Sequence, residues 1–208
     1  MGRKVGRPRD GDSAETRRQL LQAARVRFAR DGFRATTNRL IADDVGITPG
    51  AIYHYVSSKA ELYADVYCDT IDEVYTEFER AAAGHDTLFD QYNAVLQRGA
   101  ELQDDDPSIT GFIVAVSLET QRHPDLLALL TPQRGRHMHF FTDLVAAAGE
   151  RGELAADIDR QALADLLGAV LTGLARMAAS AGDTNRYSAA VGVLSRFLDG
   201  SLLVATRS

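Results

Sequence analysis

The sequence predicts an all-α protein of about nine helices, with a three-helix helix-turn-helix head followed by a C-terminal helical bundle. Apolar residues recur at intervals of three and four along most of the chain, which is the period of amphipathic helices. No stretch alternates apolar and polar residues for long enough to predict a sheet. Clusters of Gly, Pro and Asp separate the periodic segments, as expected of loops between helices.

The first twelve residues are predicted to be a disordered basic arm, because they contain Gly, Pro and charge and almost nothing to bury. Within it, Arg7 and Arg9 flank Pro8 in a run that resembles the core of an AT-hook. Such an extended segment lies in the narrow minor groove of A·T-rich DNA, where the negative potential is concentrated. A solvated tail that attracts any phosphate is the alternative interpretation.

The head is predicted over residues 13–60. Its first helix should span about residues 13–31, with Asp12 and Glu15 placed to form a capping box and Gly32 ending the helix. Thr36 or Thr37 is the expected N-cap of a second helix. The free N–H groups at that helix start could bind a DNA phosphate.

A glycine turn and a second short helix follow, in the spacing of a helix-turn-helix. The small Ala42 allows close helix approach, Gly46 makes the sharp turn and Ile52 faces inward. Thr48 is a suitable N-cap and Pro49 suits the first helical position. This helix, from Gly50 to about Val56, is too short and polar for a core helix, so we interpret it as a recognition helix.

The recognition helix is expected to enter the major groove by its first turn. Small side chains there permit close approach, and the aromatic and imidazole groups that follow can donate to phosphates and base edges. Arg39, on the preceding helix, is the candidate for a guanine contact. The candidate groove residues are Thr48, Pro49, Gly50, Ala51, Tyr53 and His54.

Charge is distributed unevenly along the chain. Residues 1–60 hold twelve Lys or Arg and six Asp or Glu, a balance of +6, whereas the remaining 148 residues hold eleven and twenty-three, a balance of −12. A basic head on an acidic body suits a nucleic-acid-binding protein, because only one surface then attracts phosphate.

Residues from about Arg17 to Leu62 resemble the TetR family of bacterial transcriptional regulators. The motif elements are Leu20-Leu21-x-Ala23-Ala24-x3-Phe28-x3-Gly32-Phe33, Thr36-Thr37, Ile41-Ala42, the run from Val45 to Tyr53, and Ser58-Lys59-x2-Leu62. The chain departs from the family pattern at two packing positions, with Asn38 in place of an apolar residue and Val56 in place of Phe.

The resemblance implies roles for several of these residues. Tyr53 and Lys59 would contact phosphates, the Gly50–His54 region would read bases, and Tyr55 would face inward in place of the family's usual His. It also implies about nine helices, a homodimer and a small-molecule ligand.

The body is predicted over residues 61–208. A long helix starts at a capping box formed by Ser58 and Glu61 and continues to about Ala83. It links the head to the body. Further helices are predicted at about 87–103, 107–122, 124–150, 159–181 and 184–199.

The central helices are expected to enclose a pocket for a small apolar or amphipathic ligand, as family members of this design respond to small molecules. Each candidate could instead be ordinary core, and Glu119 could orient a polar ligand group or pair with Arg122 or a neighbouring helix. The candidates are Tyr67, Ile71, Tyr75, Phe78, Phe112, Val116, Glu119, Met138, Phe141, Val145 and Val170.

The last two helices are expected to form a four-helix bundle with those of a second copy. Their apolar stripes are wider than one core contact requires, although both could cover the monomer's own core. The candidate interface residues are Leu163, Leu167, Leu171, Leu174, Tyr187, Val191, Leu194, Phe197 and Leu198.

Several other classes of protein are disfavoured. The chain has no P-loop, dinucleotide fingerprint or nucleophile elbow, so we expect neither an enzyme nor a cofactor. His137 and His139 point to different sides of a helix and the single Cys68 allows no paired-Cys zinc site, so we expect no metal. The most apolar segment carries Asp165 and Arg176, which argues against a membrane span, and we expect a cytoplasmic protein.

The sequence therefore predicts a homodimeric repressor that a small molecule releases from a palindromic operator in double-stranded DNA. A constitutive architectural DNA-binding protein without a ligand is the alternative.

Overall fold

The structure, a computed structural model, describes residues 10–131, 135–181 and 184–202, without the side chains of residues 10–12, 135–138, 181 and 184. None of these residues lies in a strand. They form nine α-helices and one short 3-10 helix: α1 (Asp10–Ala35), α2 (Asn38–Val45), the 3-10 helix (Ala51–His54), α3 (Lys59–Ala82), α4 (Leu88–Asp105), α5 (Pro107–Arg122), α6 (Pro124–Leu130), α7 (Gly135–Glu150), α8 (Arg160–Ala181) and α9 (Thr184–Leu198).

The predicted all-α architecture is confirmed, with differences at three places, one of which is the recognition segment described below. Helix α1 begins at Asp10, so Asp12 lies inside the helix and the predicted capping box at Asp12 is wrong. The single helix predicted over 124–150 is two helices, because α6 ends at Leu130 with Thr131 as its C-cap. The sequence has a proline directly after this cap, as is common after helix ends.

Gly32 turns the chain at the end of α1. Its φ of 79° lies in the left-handed region, where a side chain is disfavoured. A Cβ at this position would also lie 3.2 Å from Oε1 of Glu119 on α5. The predicted break at Gly32 is confirmed, and it lets the chain turn close to the body.

The head and the body share one hydrophobic core. The buried residues Phe28 of α1 and Tyr63 of α3 have ring centroids 4.8 Å apart, and Tyr63 lies 5.0 Å from Phe112 of α5. The boundary predicted at residue 60 therefore falls within a continuous core, and the division into domains stays a prediction. A second core lies deeper in the body, between α3, α4, α7, α8 and α9.

A buried arginine fastens α1 to the body. Arg25 donates to Glu73 of α3 at 2.8 Å and to Asp106, the N-cap of α5, at 2.7 Å. Asp106 also accepts from the Ser108 hydroxyl at 2.6 Å. Since α1 packs directly on α5, this pairing fixes how the head sits on the body.

Candidate nucleic-acid interface and internal cavity

Helix α2 and the turn after it have the predicted capping geometry. Thr37 is the N-cap, and its hydroxyl accepts from the Leu40 amide at 3.3 Å. Gly46, with φ of 76°, ends the helix in the left-handed conformation. The amide of Ile47 donates to the Ala42 carbonyl at 3.0 Å, which completes a Schellman-type end.

The recognition segment is a 3-10 helix, Ala51–His54, which is shorter than the helix predicted from Gly50 to about Val56. The amide of Tyr55 donates to the Ile52 carbonyl at 2.9 Å, an i to i+3 bond. Thr48 nevertheless acts as predicted at the start, since its hydroxyl accepts from the Ala51 amide at 3.2 Å. The segment spans only four residues, a length at which 3-10 geometry is common.

The recognition segment presents one face to solvent and buries the other. Ile52 is fully buried and Val56 nearly so, whereas Tyr53 is 61% exposed. Tyr55 packs against the head core, as predicted. The residues predicted for the groove lie on the outer face: Thr48, Pro49, Gly50, Tyr53 and His54 are exposed and Ala51 is half-buried.

Thr36 is not available for the predicted phosphate contact. Its side chain is fully buried and its hydroxyl donates to the Gly32 carbonyl at 2.9 Å. The neighbouring Thr37 is exposed and caps α2. The side chains of these two adjacent threonines point in opposite directions, and the sequence alone did not show which of them faces solvent.

Lys59 has a different role from the phosphate contact implied by the family resemblance. Its ammonium donates to the carbonyls of Phe33 at 2.8 Å and Thr36 at 2.9 Å, and it lies 4.4 Å from the centre of the Phe33 ring. Burial lowers the Lys59 pKa, although the charge of Glu119 opposes this shift. The ammonium thus holds the start of α3 against the turn between α1 and α2, and this contact replaces the predicted one.

Two departures from the family pattern affect packing. The Oδ1 atom of Asn38 is buried and has no hydrogen-bond partner among the described residues, a cost that an apolar side chain would avoid. Val56 packs into the head core at the position of the usual Phe. Neither residue faces the exposed side of the recognition segment.

Part of the basic charge of the head is neutralised within the protein. Arg27 donates to Asp44 at 2.6 Å, and Arg17 pairs with Asp65 of α3 at 2.9 Å. Arg34 and Arg39 are exposed and form no ion pair with any described residue. Arg34 was not among the candidates, although its position three residues before the Thr37 cap could have indicated it.

A cavity of about 320 Å³ lies in the body, between α3, α4, α5, α8 and α9. Its wall is mainly apolar, with polar groups from α5, α8 and α9. Five of the predicted ligand residues line it: Tyr67, Ile71, Tyr75, Phe78 and Val116.

The other predicted ligand residues with described side chains lie outside the cavity wall. Phe112 is buried in the shared core beside Tyr63, and Phe141 packs beside Tyr92 in the body core. Val145 is buried there too, and Val170 is half-buried away from the cavity. Helical periodicity gives the apolar side of a helix but not which of its neighbours that side contacts.

Glu119 also faces away from the cavity, so its predicted role in orienting a ligand is wrong. Its carboxylate lies 3.6 Å from the His123 imidazole, at the junction of the head and the body. It is near Lys59 and Tyr63, whose pKa values it affects. The predicted pairing with Arg122 is replaced by the pairing with His123.

Four of the nine residues predicted for the dimer interface are buried in the monomer's own core, three more are partly buried against it, and the interface itself stays a prediction. Leu167, Leu171, Tyr187 and Val191 are buried in the body core, and Leu163, Leu174 and Leu194 pack against it. Phe197 and Leu198 alone of the predicted set are classed as exposed.

The opposite faces of α8 and α9 are apolar and exposed. Leu166 is 57% and Phe197 60% exposed, and Val193 is exposed on the same helix as Phe197. Small residues, Ala169 and Gly173 on α8, lie on the exposed side of the helix near Leu166. By length and composition α8 could also cross a membrane, a test that core helices of soluble proteins pass too.

Three predicted site residues lie outside the described parts of the chain. Arg7 and Arg9 precede the first described residue, and the Met138 side chain is not described. Their predicted roles stay predictions.

Comparison with known proteins places the head in a known family. Residues 20–66 match the family model "Bacterial regulatory proteins, tetR family". The chain is similar to the transcriptional repressor KstR2 of Mycolicibacterium smegmatis, with 39% identity over 67 residues, 32% of this chain and 33% of that protein. This match thus spans about a third of the length of that relative.

Two longer matches extend beyond the head. The transcriptional regulator UidR of Escherichia coli K12 is 24% identical over 156 residues, which are 75% of this chain and 78% of that protein. The solved structure of the fatty acid degradation regulator FadR from Bacillus halodurans superposes with a TM-score of 0.78 at 15% identity, covering 90% of this chain and 96% of that one. This likeness shows a shared fold from head to body. Residues 20–66 thus match the TetR family of bacterial transcriptional regulators, and the chain as a whole shares the fold of a solved regulator.

Proposed function

We propose that this protein is a homodimeric transcriptional repressor that binds a palindromic operator and is released from it by a small-molecule ligand. One observation carries the proposal: the outer face of the recognition segment, from Thr48 to His54, is exposed while Ile52 anchors it in the head core. This outer face is held in place by the core and carries small side chains at its start, so it can enter a major groove. Such a protein acts in the cytoplasm, where the DNA lies.

We expect the following contacts to DNA. Gly50 and Ala51 approach the base edges, while Tyr53 and His54 donate to phosphates or bases. Thr37 and the free amides at the start of α2 hold a phosphate. Arg39 reads a guanine, and Arg34 adds a contact to the backbone. For Arg7 and Arg9, which lie outside the described residues, the minor-groove contact stays a prediction from the sequence.

A second copy of the chain covers the exposed apolar face of α8 and α9. Leu166 and Phe197 are too exposed to stabilise the monomer, and Gly173 lets two α8 helices approach closely. Two recognition segments about one DNA turn apart can read a palindrome, which one short segment cannot do selectively.

The cavity is in position to influence the head. Tyr67, Ile71 and Val116 line the cavity and also belong to the core shared by the head and the body. A ligand that displaces these side chains would therefore shift the packing of α3 and α5 under the head. The ligand can shift the equilibrium between the DNA-binding state and the released state only as far as its affinities for the two states differ. A tenfold loss of operator affinity requires a difference of about 1.4 kcal/mol in binding free energy.

Selection of bound sequences from random DNA tests the proposal. We expect the full chain to enrich one palindrome, and sedimentation to show two chains on it. If the selected DNA fragments share no sequence, the result would favour the alternative, a constitutive architectural DNA-binding protein. Compounds that occupy the cavity should then release the selected DNA; if they bind and operator affinity never changes, the ligand switch is wrong while the DNA-binding function stands.

A further inference from the structure

One buried polar group at the cavity is left unused by the protein. The Tyr187 hydroxyl is buried, in a residue only 2% exposed, and has no hydrogen-bond partner among the described residues. Burial raises the Tyr187 pKa, so the hydroxyl is a neutral donor. An unpaired buried hydroxyl is costly unless a visiting molecule supplies its partner.

The chain makes room for this hydroxyl. A Cβ at Gly99 of α4 would lie 2.7 Å from the Tyr187 oxygen, so any larger residue there would have to displace it. Both residues line the cavity. Glycine at this point therefore keeps an unpaired donor beside the cavity.

The cavity also has a single charged group in its described wall. Arg176 of α8 is exposed and forms no ion pair with a described residue, and Asp, Glu and Lys are absent from that wall. Thr172, one helical turn earlier, adds a hydroxyl on the same side. An unpaired guanidinium beside an apolar space selects a partner with negatively charged oxygens.

Most of the remaining wall is apolar, apart from Thr110 and Ser117 of α5 and the hydroxyls of Tyr67 and Tyr75. Ile71, Val74, Phe78, Leu102 and Ile109 are buried residues that present hydrocarbon to the cavity. A fully charged or strongly hydrated molecule would lose its hydration against this surface without compensation. The occupant must therefore be apolar over most of its length.

We propose that the cavity binds an amphipathic monoanion, a compact or chain-like apolar body with one carboxylate. The carboxylate lies at Arg176 and Thr172, and the Tyr187 hydroxyl donates to one oxygen of the same carboxyl group, which a methyl ester also offers as its carbonyl. This inference rests on the proposed function, since it names the chemical class of the releasing ligand.

The test uses matched probes with and without the charge. Decanoate and 2-naphthoate are compared with their methyl esters by calorimetry on the full chain. We expect each acid to bind about tenfold tighter than its ester, the ratio that a charge-assisted hydrogen bond supplies. Arg176→Gln should remove that ratio, while Arg186→Gln, at an exposed arginine of α9 outside the cavity wall, should keep it.

Tyr187→Phe provides an independent readout. We expect it to weaken acids and esters alike by about threefold to tenfold without lowering the melting temperature of the unliganded protein, because the lost hydroxyl has no partner there. Equal binding of acids and esters, no binding of either acid, or an unchanged ratio in Arg176→Gln would overturn the assignment. DNA selection with the wild-type chain is scored separately, so a palindrome without acid binding refutes this inference alone.

Discussion

Lys59 is a residue of the head whose contacts are with the main chain of the protein. Its ammonium donates to main-chain carbonyls of Phe33 and Thr36, at the turn between α1 and α2. Lysine near a helix end commonly bonds free carbonyls in this way. The contact positions α2, and through it the recognition segment, by fixing the turn from which both depart.

We predict that Lys59→Met lowers the free energy of unfolding by about 2 kcal/mol, because carbonyls lose a charged donor. Operator affinity should fall equally at all salt concentrations, leaving the slope of log K against log salt unchanged. Arg34→Gln, at the proposed backbone contact, is the matched comparison: its slope should fall by about one, with an unchanged melting temperature. If Lys59→Met instead lowered the slope of log K against log salt and kept full stability, Lys59 would be a phosphate contact after all.

A second prediction concerns acid stability at Asp106. Burial raises the pKa of this carboxyl, but hydrogen bonds from Ser108 and the charge of Arg25 outweigh burial, so the net shift is downward. A lowered pKa means that the carboxylate stabilises the fold fully above its unfolded-state pKa, near 4. This contribution is lost as the pH falls through the lower folded-state value.

Asp106→Asn should therefore cost about 2 kcal/mol at pH 7, measured by urea unfolding, because Arg25 loses a charged partner. The difference from wild type should shrink below pH 3. Asp104→Asn, at an exposed position of α4, is the control and should have little effect. A cost for Asp106→Asn that is equally large at pH 2 and pH 7 would show that the charge is not what stabilises the junction.

At the scale of elements, the recognition segment begins next to a glycine, Gly50. Gly50 has nothing within 4 Å of where a Cβ would be, and its φ of −77° suits any residue. The fold therefore does not require glycine at this position. Close approach to DNA is the remaining reason for a small residue there.

Gly50→Val should leave the melting temperature and the dimer unchanged while reducing operator affinity by more than tenfold, a loss above about 1.4 kcal/mol. Fluorescence anisotropy with labelled operator measures the affinity, and sedimentation checks the dimer. Gly84→Val, in the loop after α3, is the control that should keep operator affinity. Full operator affinity in Gly50→Val would mean that this edge does not enter the groove.

At the scale of the whole molecule, the proposed assembly depends on the outer face of α8. A Cβ at Gly173 would meet nothing within 4 Å in the monomer, and the residue is exposed, so we expect a side chain there to point into solvent in one chain. In a dimer the same position would lie where two helices approach. Monomer stability and dimer formation can thus be separated at one residue.

Gly173→Arg should give a folded monomer by sedimentation velocity, with stability kept or raised by up to about 1 kcal/mol, because glycine weakens a helix interior. Its operator affinity should fall sharply, since two linked half-sites are lost. Gln97→Arg, exposed on α4, adds the same charge outside this face and should remain dimeric. A dimeric Gly173→Arg protein would place the interface elsewhere.

The sequence by itself determined the helices, the turns and the recognition segment, because these depend on local spacing. Gly32 and Gly46, the caps at Thr37 and Thr48, and inward Ile52 are all properties of a few neighbouring residues. It also indicated five of the cavity residues, since an apolar face that points into a body can border its internal space.

The tertiary structure alone decided which partner each face meets. Thr36 and Lys59 turned inward, Glu119 met His123 instead of a ligand, and the stripe predicted for a second copy filled the monomer's core. The physical reason is that helical periodicity defines a direction around an axis, whereas the neighbour in that direction depends on how all the helices pack. The tertiary structure therefore had to be known before two features became visible. Leu166 and Phe197 are exposed, and the Tyr187 hydroxyl has no hydrogen-bond partner among the described residues.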